Sequence, residues 1–136
     1  MNPAWRRRLW IWGPPVLYMA VIFVVSSIRV VRVPLLRRVA HGDKFLHALE
    51  YALLCVLLFR ALRLTHRPWL YRFSPLAAFV LSSLYGATDE LHQGLVGRTM
   101  SFGDWLADSA GALAVALVLM VTMKIRPDPQ RGHRRS

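Results

Sequence analysis

Acids and imidazoles recur in this chain at helical spacing inside otherwise apolar sequence. The stretch 85–111, YGATDELHQGLVGRTMSFGDWLADSAG, holds four of the seven carboxylates, Asp89, Glu90, Asp104 and Asp108. Tyr85, Asp89, His92 and Gln93 fall at i, i+4, i+7 and i+8, one face of a helix. Asp104, Asp108 and Gly111 share a face in the same way, as do Asp43, His47, Glu50 and Tyr51 upstream, with Lys44 beside them. His47 with Glu50, and Asp89 with His92, have the i, i+3 spacing of an acid/base pair or of metal ligands on one helix. The simpler reading of either is a hydrogen-bonded structural pair. No recognised metal motif is present, so no metal is assigned.

The elements that must carry these stripes are apolar and long. Apolar residues make up 55% of the 136-residue chain, more than a soluble domain of this size usually has. Four runs, 11–28, 45–62, 74–93 and 104–123, are each long enough to cross a hydrocarbon core of about 30 Å. None alternates as a strand would. The expected fold is all-α, an integral membrane bundle of four transmembrane helices over 11–123. A basic head (1–10) precedes it and a basic, proline-bearing, disordered tail (124–136) follows. Arg6-Arg7-Arg8 before an apolar run outlines a signal peptide, but no small-x-small cleavage site follows, and the run reads as a retained helix. Pro14-Pro15 should sit at or bend its start, and Pro75 belongs in the first turn of the third run.

Net charge is +11, with the basic residues between and beyond the apolar runs. That distribution suits anionic lipid rather than a nucleic-acid-binding face, so membrane lipid is an expected partner and nucleic acid is not. Lys and Arg number three in the head, four in the 60–72 loop and five in the tail, against five and one in the other two connectors. The positive-inside rule then places both termini in the cytoplasm of a multi-pass inner-membrane protein. The lone Cys55 forms no intrachain disulfide and reads as a small buried hydrophobe.

Four antiparallel spans bring the start of the second helix, the end of the third and the start of the fourth to one membrane face. The three polar stripes therefore converge into a candidate pocket. His47, Glu50, Asp89, Glu90 and His92 are its candidate catalytic groups. Lys44, Tyr51, Gln93, Arg98, Asp104 and Asp108 are its candidate substrate-binding groups. Arg98 suits either a clamp to Asp89 or Asp104 or the capture of a substrate anion. Asp104 or Ser101 caps the fourth helix, and Ala107 with Gly111 forms a small-xxx-small pair for close helix contact. Trp69, Tyr71 and Trp105 fit interfacial belts, and Met100 and Phe102 could dip into the interface.

Two blocks carry a family resemblance. They are Asp43-Lys44-x-x-His47-x-x-x-Tyr51, and Asp89-Glu90-x-His92-Gln93 followed by Arg98, Asp104, Asp108 and Gly111. Together, in this order and one helix hairpin apart, they resemble the VanZ-like membrane proteins over roughly residues 11–123. The family takes its name from an accessory determinant of resistance to the glycopeptide teicoplanin. The resemblance implies a small bacterial four-helix membrane protein related to the cell envelope, with no established reaction or cofactor. The polar site itself reads as a site for an anionic lipid-linked or cell-wall substrate, the alternatives being a membrane-embedded hydrolase or transferase using a His/carboxylate pair and a non-catalytic structural module with an internal ion-pair network. Two departures stand out. The turn before Arg98 is one residue short and lacks a proline, and position 108 is Asp where many members have Asn. No nucleophile elbow, Walker loop or zincin motif points to a particular reaction.

Overall fold

The computed structural model describes residues 2–27, 42–65 and 68–125. They form four α-helices, α1 (Pro3–Ser27), α2 (Gly42–Leu64), α3 (Pro68–Leu95) and α4 (Phe102–Ile125). Most of the first connector, the tail and the side chain of Asp43 lie outside the described residues, so the expectations for them are not addressed.

The first helix starts earlier than its apolar run suggested. Asn2 Oδ1 accepts the Ala4 N–H at 3.0 Å, and Pro3 occupies the first helical position, where its missing N–H costs nothing. The basic head therefore forms the opening turns of α1, and Pro14-Pro15 lie inside the helix rather than at its start. Likewise α3 begins at Pro68, so Pro75 falls two turns in. Long spans tolerate such interior prolines because neighbouring groups re-satisfy the freed carbonyls.

Three helices, Pro3–Ser27, Lys44–Leu64 and Phe102–Lys124, are long and apolar enough to cross a membrane, with mean hydropathy 1.8, 1.8 and 2.0. The helix α3 is less apolar because Ser74, Ser82, Ser83, Tyr85 and the 89–93 polar cluster interrupt it. Large apolar side chains on all four helices point outward, among them Leu17, Leu53, Leu84 and Val118. The interior mixes small and polar residues, with Ala61, Ala78, Ala112, Ala116, Ser74 and Ser82 fully buried, around a few large ones, Ile22, Tyr51, Leu54, Leu58 and Leu62. That polarity suits lipid, where helices associate through close packing of small residues and interhelical hydrogen bonds rather than by hiding apolar surface from water.

Helices α2, α3 and α4 pack mutually, and α1 lies against α2 and, more lightly, α3. Arg60 of α2 stacks on Trp10 and donates to its carbonyl, tying the end of α2 to the start of α1. At the other end Ser27 meets His92 of α3. Contacts from Lys44 to Asp104 and from His47 to Asp108 set the starts of α2 and α4 side by side. The convergence expected from four antiparallel spans is thus present.

Gly111 governs the α2–α4 approach. A Cβ there would overlap the Ala48 carbonyl oxygen and lie 2.6 and 2.8 Å from the Ala48 carbonyl carbon and Cα. Backbone packs on backbone, as the Ala107/Gly111 pair anticipated. Gly111→Ala should therefore lower the unfolding midpoint in detergent, by about 1–3 kcal/mol of stability. Gly94→Ala, whose added methyl would meet only the Met100 Cβ at 3.7 Å, should be neutral or stabilising.

Candidate functional site

The α2–α4 seam carries the first part of the site. His47 Nδ1 lies 3.0 Å from Asp108 Oδ1, a contact between a half-buried imidazole and a carboxylate that is 1% exposed. One turn outward, Lys44 Nζ donates to Asp104 Oδ1 at 2.7 Å. Asp104 does not cap α4. Ser101 does, through its Oγ, which accepts the Asp104 N–H at 3.2 Å and leaves the Asp104 carboxylate to Lys44.

The end of α3 supplies the second part. Asp89 and Glu90 are buried, and Gln93 Nε2 bridges them, donating to Asp89 Oδ2 at 3.0 Å and Glu90 Oε1 at 3.4 Å. Glu90 Oε2 accepts the Ser101 N–H at 2.7 Å, so this acid also holds the loop that starts α4. Gly86 makes room at the centre. A Cβ there would lie 3.2 Å from Asp108 Oδ2 and 3.3 Å from Tyr51 Cε1. Tyr51 is wholly buried, 6.4 Å from Tyr85 between ring centroids. Glu50 is half-buried and accepts the Tyr18 hydroxyl through its carbonyl at 3.3 Å.

An imidazole nitrogen of His47 and one carboxylate oxygen each from Glu90 and Asp108 all lie within 4.8 Å of one another. Glu90 also lines a cavity of about 330 Å³, walled by Ala87, Leu91, Met100, Ser101, Phe102 and Trp105. One acid thus joins a polar centre to an apolar recess. Trp105, expected in an interfacial belt, walls this recess and donates its indole N–H to the Ser83 carbonyl at 3.1 Å.

Two expected members go elsewhere. His92 stacks on Phe23 of α1 at 4.2 Å between centroids, and its Nε2 is 2.9 Å from Ser27 Oγ. Arg98 Nη1 donates to the Ser26 carbonyl at 2.8 Å, where a cation complements the C-terminal end of α1. The turn explains its aim. Gly97 has φ 76°, and the Arg98 N–H closes back onto the Gln93 carbonyl at 2.9 Å, a Schellman-type end to α3. Instead of an Asp89/His92 or His47/Glu50 pair within one helix, the imidazoles find partners across helices. The close approach of the α4 backbone to Ala48 at Gly111 brings Asp108 within 3.0 Å of His47. Sequence reasoning missed Gly86 and the Ser101–Glu90 contact, because neither shows in the spacing of charged residues.

Burial decides how much each pair contributes. A double-mutant cycle with His47→Gln and Asp108→Asn should give a stability coupling of about 1–3 kcal/mol, as for a buried charge-assisted hydrogen bond. The same cycle on Lys44 and Asp104, whose side chains are 43% and 19% exposed, should give less than about 1 kcal/mol. Equal couplings would contradict the geometry.

The family model described as VanZ/LLP1 matches residues 9–123, which include all four helices almost entire and every residue of the site. No curated protein and no solved structure matches the chain. With three membrane-length apolar helices, a polar interior and a family match over most of its length, the chain belongs to the VanZ family of membrane proteins.

Proposed function

We infer that the protein is an envelope-related protein of the bacterial inner membrane, with both termini cytoplasmic. It takes a lipid-linked anionic substrate, of the cell-wall-precursor class, at the membrane face where α2, α3 and α4 converge. The observation that carries this reading is the double position of Glu90. It lines the apolar cavity and belongs to the polar centre with His47 and Asp108. Leu91, Met100, Phe102 and Trp105 suit a hydrocarbon chain, while the acids of the polar centre suit the hydroxyl and amide N–H donors of a head group rather than its anionic part. Lys44, at the rim beside Asp104, supplies positive charge toward an anionic head. The Lys and Arg distribution supports the orientation, and the family supports an envelope role, including glycopeptide susceptibility.

A second reading, a membrane-embedded hydrolase or transferase, is favoured by the His47–Asp108 contact. A carboxylate that orients an imidazole is the arrangement general-base catalysis uses. The two readings separate by turnover. A binding protein returns its lipid unchanged, whereas an enzyme converts it and loses that conversion in His47→Gln. The Gln93, His92 and Arg98 contacts belong to structural support under either reading.

Ala87 provides the test, since it lines the cavity and has no polar side chain of its own to lose. The full chain purified in mild detergent should carry an amphiphilic anionic lipid identifiable by mass spectrometry. Ala87→Phe should reduce the bound amount at least tenfold without altering the elution profile. Equal lipid in both proteins, or none in either, would overturn the reading.

A further inference from the structure

The acids at the centre are poorly compensated. Asp89, Glu90 and Asp108 are 6%, 4% and 1% exposed. Among the described residues, the ion pairs are His47–Asp108 and the outer Lys44–Asp104. Arg98, the nearest guanidinium in sequence, is engaged by the Ser26 carbonyl. Two buried carboxylates gathered at one imidazole, with Asp89 buried nearby on α3, call for a further cation or for protons, because an uncompensated charge in a low-dielectric interior is costly.

Two polar atoms in the same place are also without partners. Asp108 Oδ2 and the Tyr51 hydroxyl are buried and take no hydrogen bond among the described residues. Tyr51 is wholly buried, one turn beyond His47. Its Cε1, next to the carbon bearing the hydroxyl, approaches Gly86 from the same region as Asp108 Oδ2. Buried polar atoms are nearly always satisfied, so a pair of them beside a carboxylate cluster indicates a ligand.

The geometry points to a divalent-cation site formed by His47, Glu90 and Asp108, of the zinc or manganese class. The three donors come from α2, α3 and α4 and lie within 4.8 Å of one another, close enough to share one ion. The 3.0 Å between His47 Nδ1 and Asp108 Oδ1 matches adjacent ligands at about 2.1 Å on an octahedral ion such as manganese, and a relaxation to about 3.4 Å suits tetrahedral zinc. One imidazole and two carboxylates favour zinc or manganese over magnesium, which prefers oxygen alone, and over copper(I), which prefers sulfur. Glu90 Oε1 is held only by the 3.4 Å contact from Gln93, leaving that oxygen the better donor to an ion. Three protein ligands leave at least one position for water or a substrate oxygen. Gly86 keeps the space beside Asp108 clear of a side chain. The site stands whether or not the lipid reading holds, since it rests on the donor set and not on the cavity.

The test uses metal alone. The full chain in detergent is stripped with chelator and titrated calorimetrically with Zn²⁺ and, separately, Mn²⁺, and ion content after desalting is measured by elemental analysis. The expected result is one ion per chain for at least one of the two metals. Affinity should be at least tenfold weaker in Asp108→Asn and in Glu90→Gln, and unchanged in His92→Gln, which removes an imidazole on the α1 side. Variants are compared when they elute as the wild type does. Absence of saturable binding of either metal to the wild type overturns the proposal without any variant. Wild-type affinity in both acid variants, or loss of binding in His92→Gln, overturns it as well.

Discussion

The close crossing of α2 and α4 is the contact on which the rest of the structure depends. Gly111 admits the Ala48 carbonyl to a position that any side chain would occupy. Because α4 runs beside α2 in the same direction, this single approach aligns Lys44 with Asp104 and His47 with Asp108. Small residues continue the seam inward through Ala112 and Ala116, both fully buried. In lipid such packing supplies much of the association energy, since burying leucine gains nothing over leaving it among acyl chains.

That solvent also sets the terms for the polar centre. An apolar exterior and a closely packed interior leave the acids nowhere to be hydrated except at the membrane face. There they are held by specific groups: Gln93 between Asp89 and Glu90, the Ser101 N–H on Glu90, and His47 on Asp108. Such groups are retained in membrane interiors mainly where they act on something. The helix α1 contributes differently. It takes the Tyr85 hydroxyl on the Met19 carbonyl at 2.7 Å, His92 on Phe23 and Arg98 on Ser26. These contacts fasten α1 to the back of α3, so the site itself is built by three helices and braced by the fourth.

Much of this was legible in the sequence for identifiable reasons. Length and hydropathy revealed four helices. Chain direction alone placed 43–51, 89–93 and 98–108 at one face, and the Ala107/Gly111 spacing pointed to a close contact. Helix ends were less legible because apolar runs mark where lipid begins rather than where hydrogen bonding stops. Asn2-Pro3 and Pro68 start α1 and α3 outside those runs. Pairing was the least legible. Spacing along one helix suggests partners for His47 and His92, but rotation of each helix about its axis decides which neighbour they meet. Rotation turned His92 toward Phe23 and His47 toward Asp108. The aim of Arg98 depended on the positive φ of Gly97, a backbone property that charge patterns do not reveal.

The dependence of the polar centre on the helix crossing can be read at one nucleus. With histidine labelled in ¹⁵N and the protein in lipid bilayers, the imidazole resonances of His47, assigned by their loss in His47→Gln, report its contact with Asp108. The expected result is a large shift of these resonances in Asp108→Asn and a shift in the same sense in Gly111→Ala, with His92 nearly unmoved in both. His47 resonances unchanged in Gly111→Ala, while Asp108→Asn moves them, would show that the Gly111–Ala48 approach does not hold the site together.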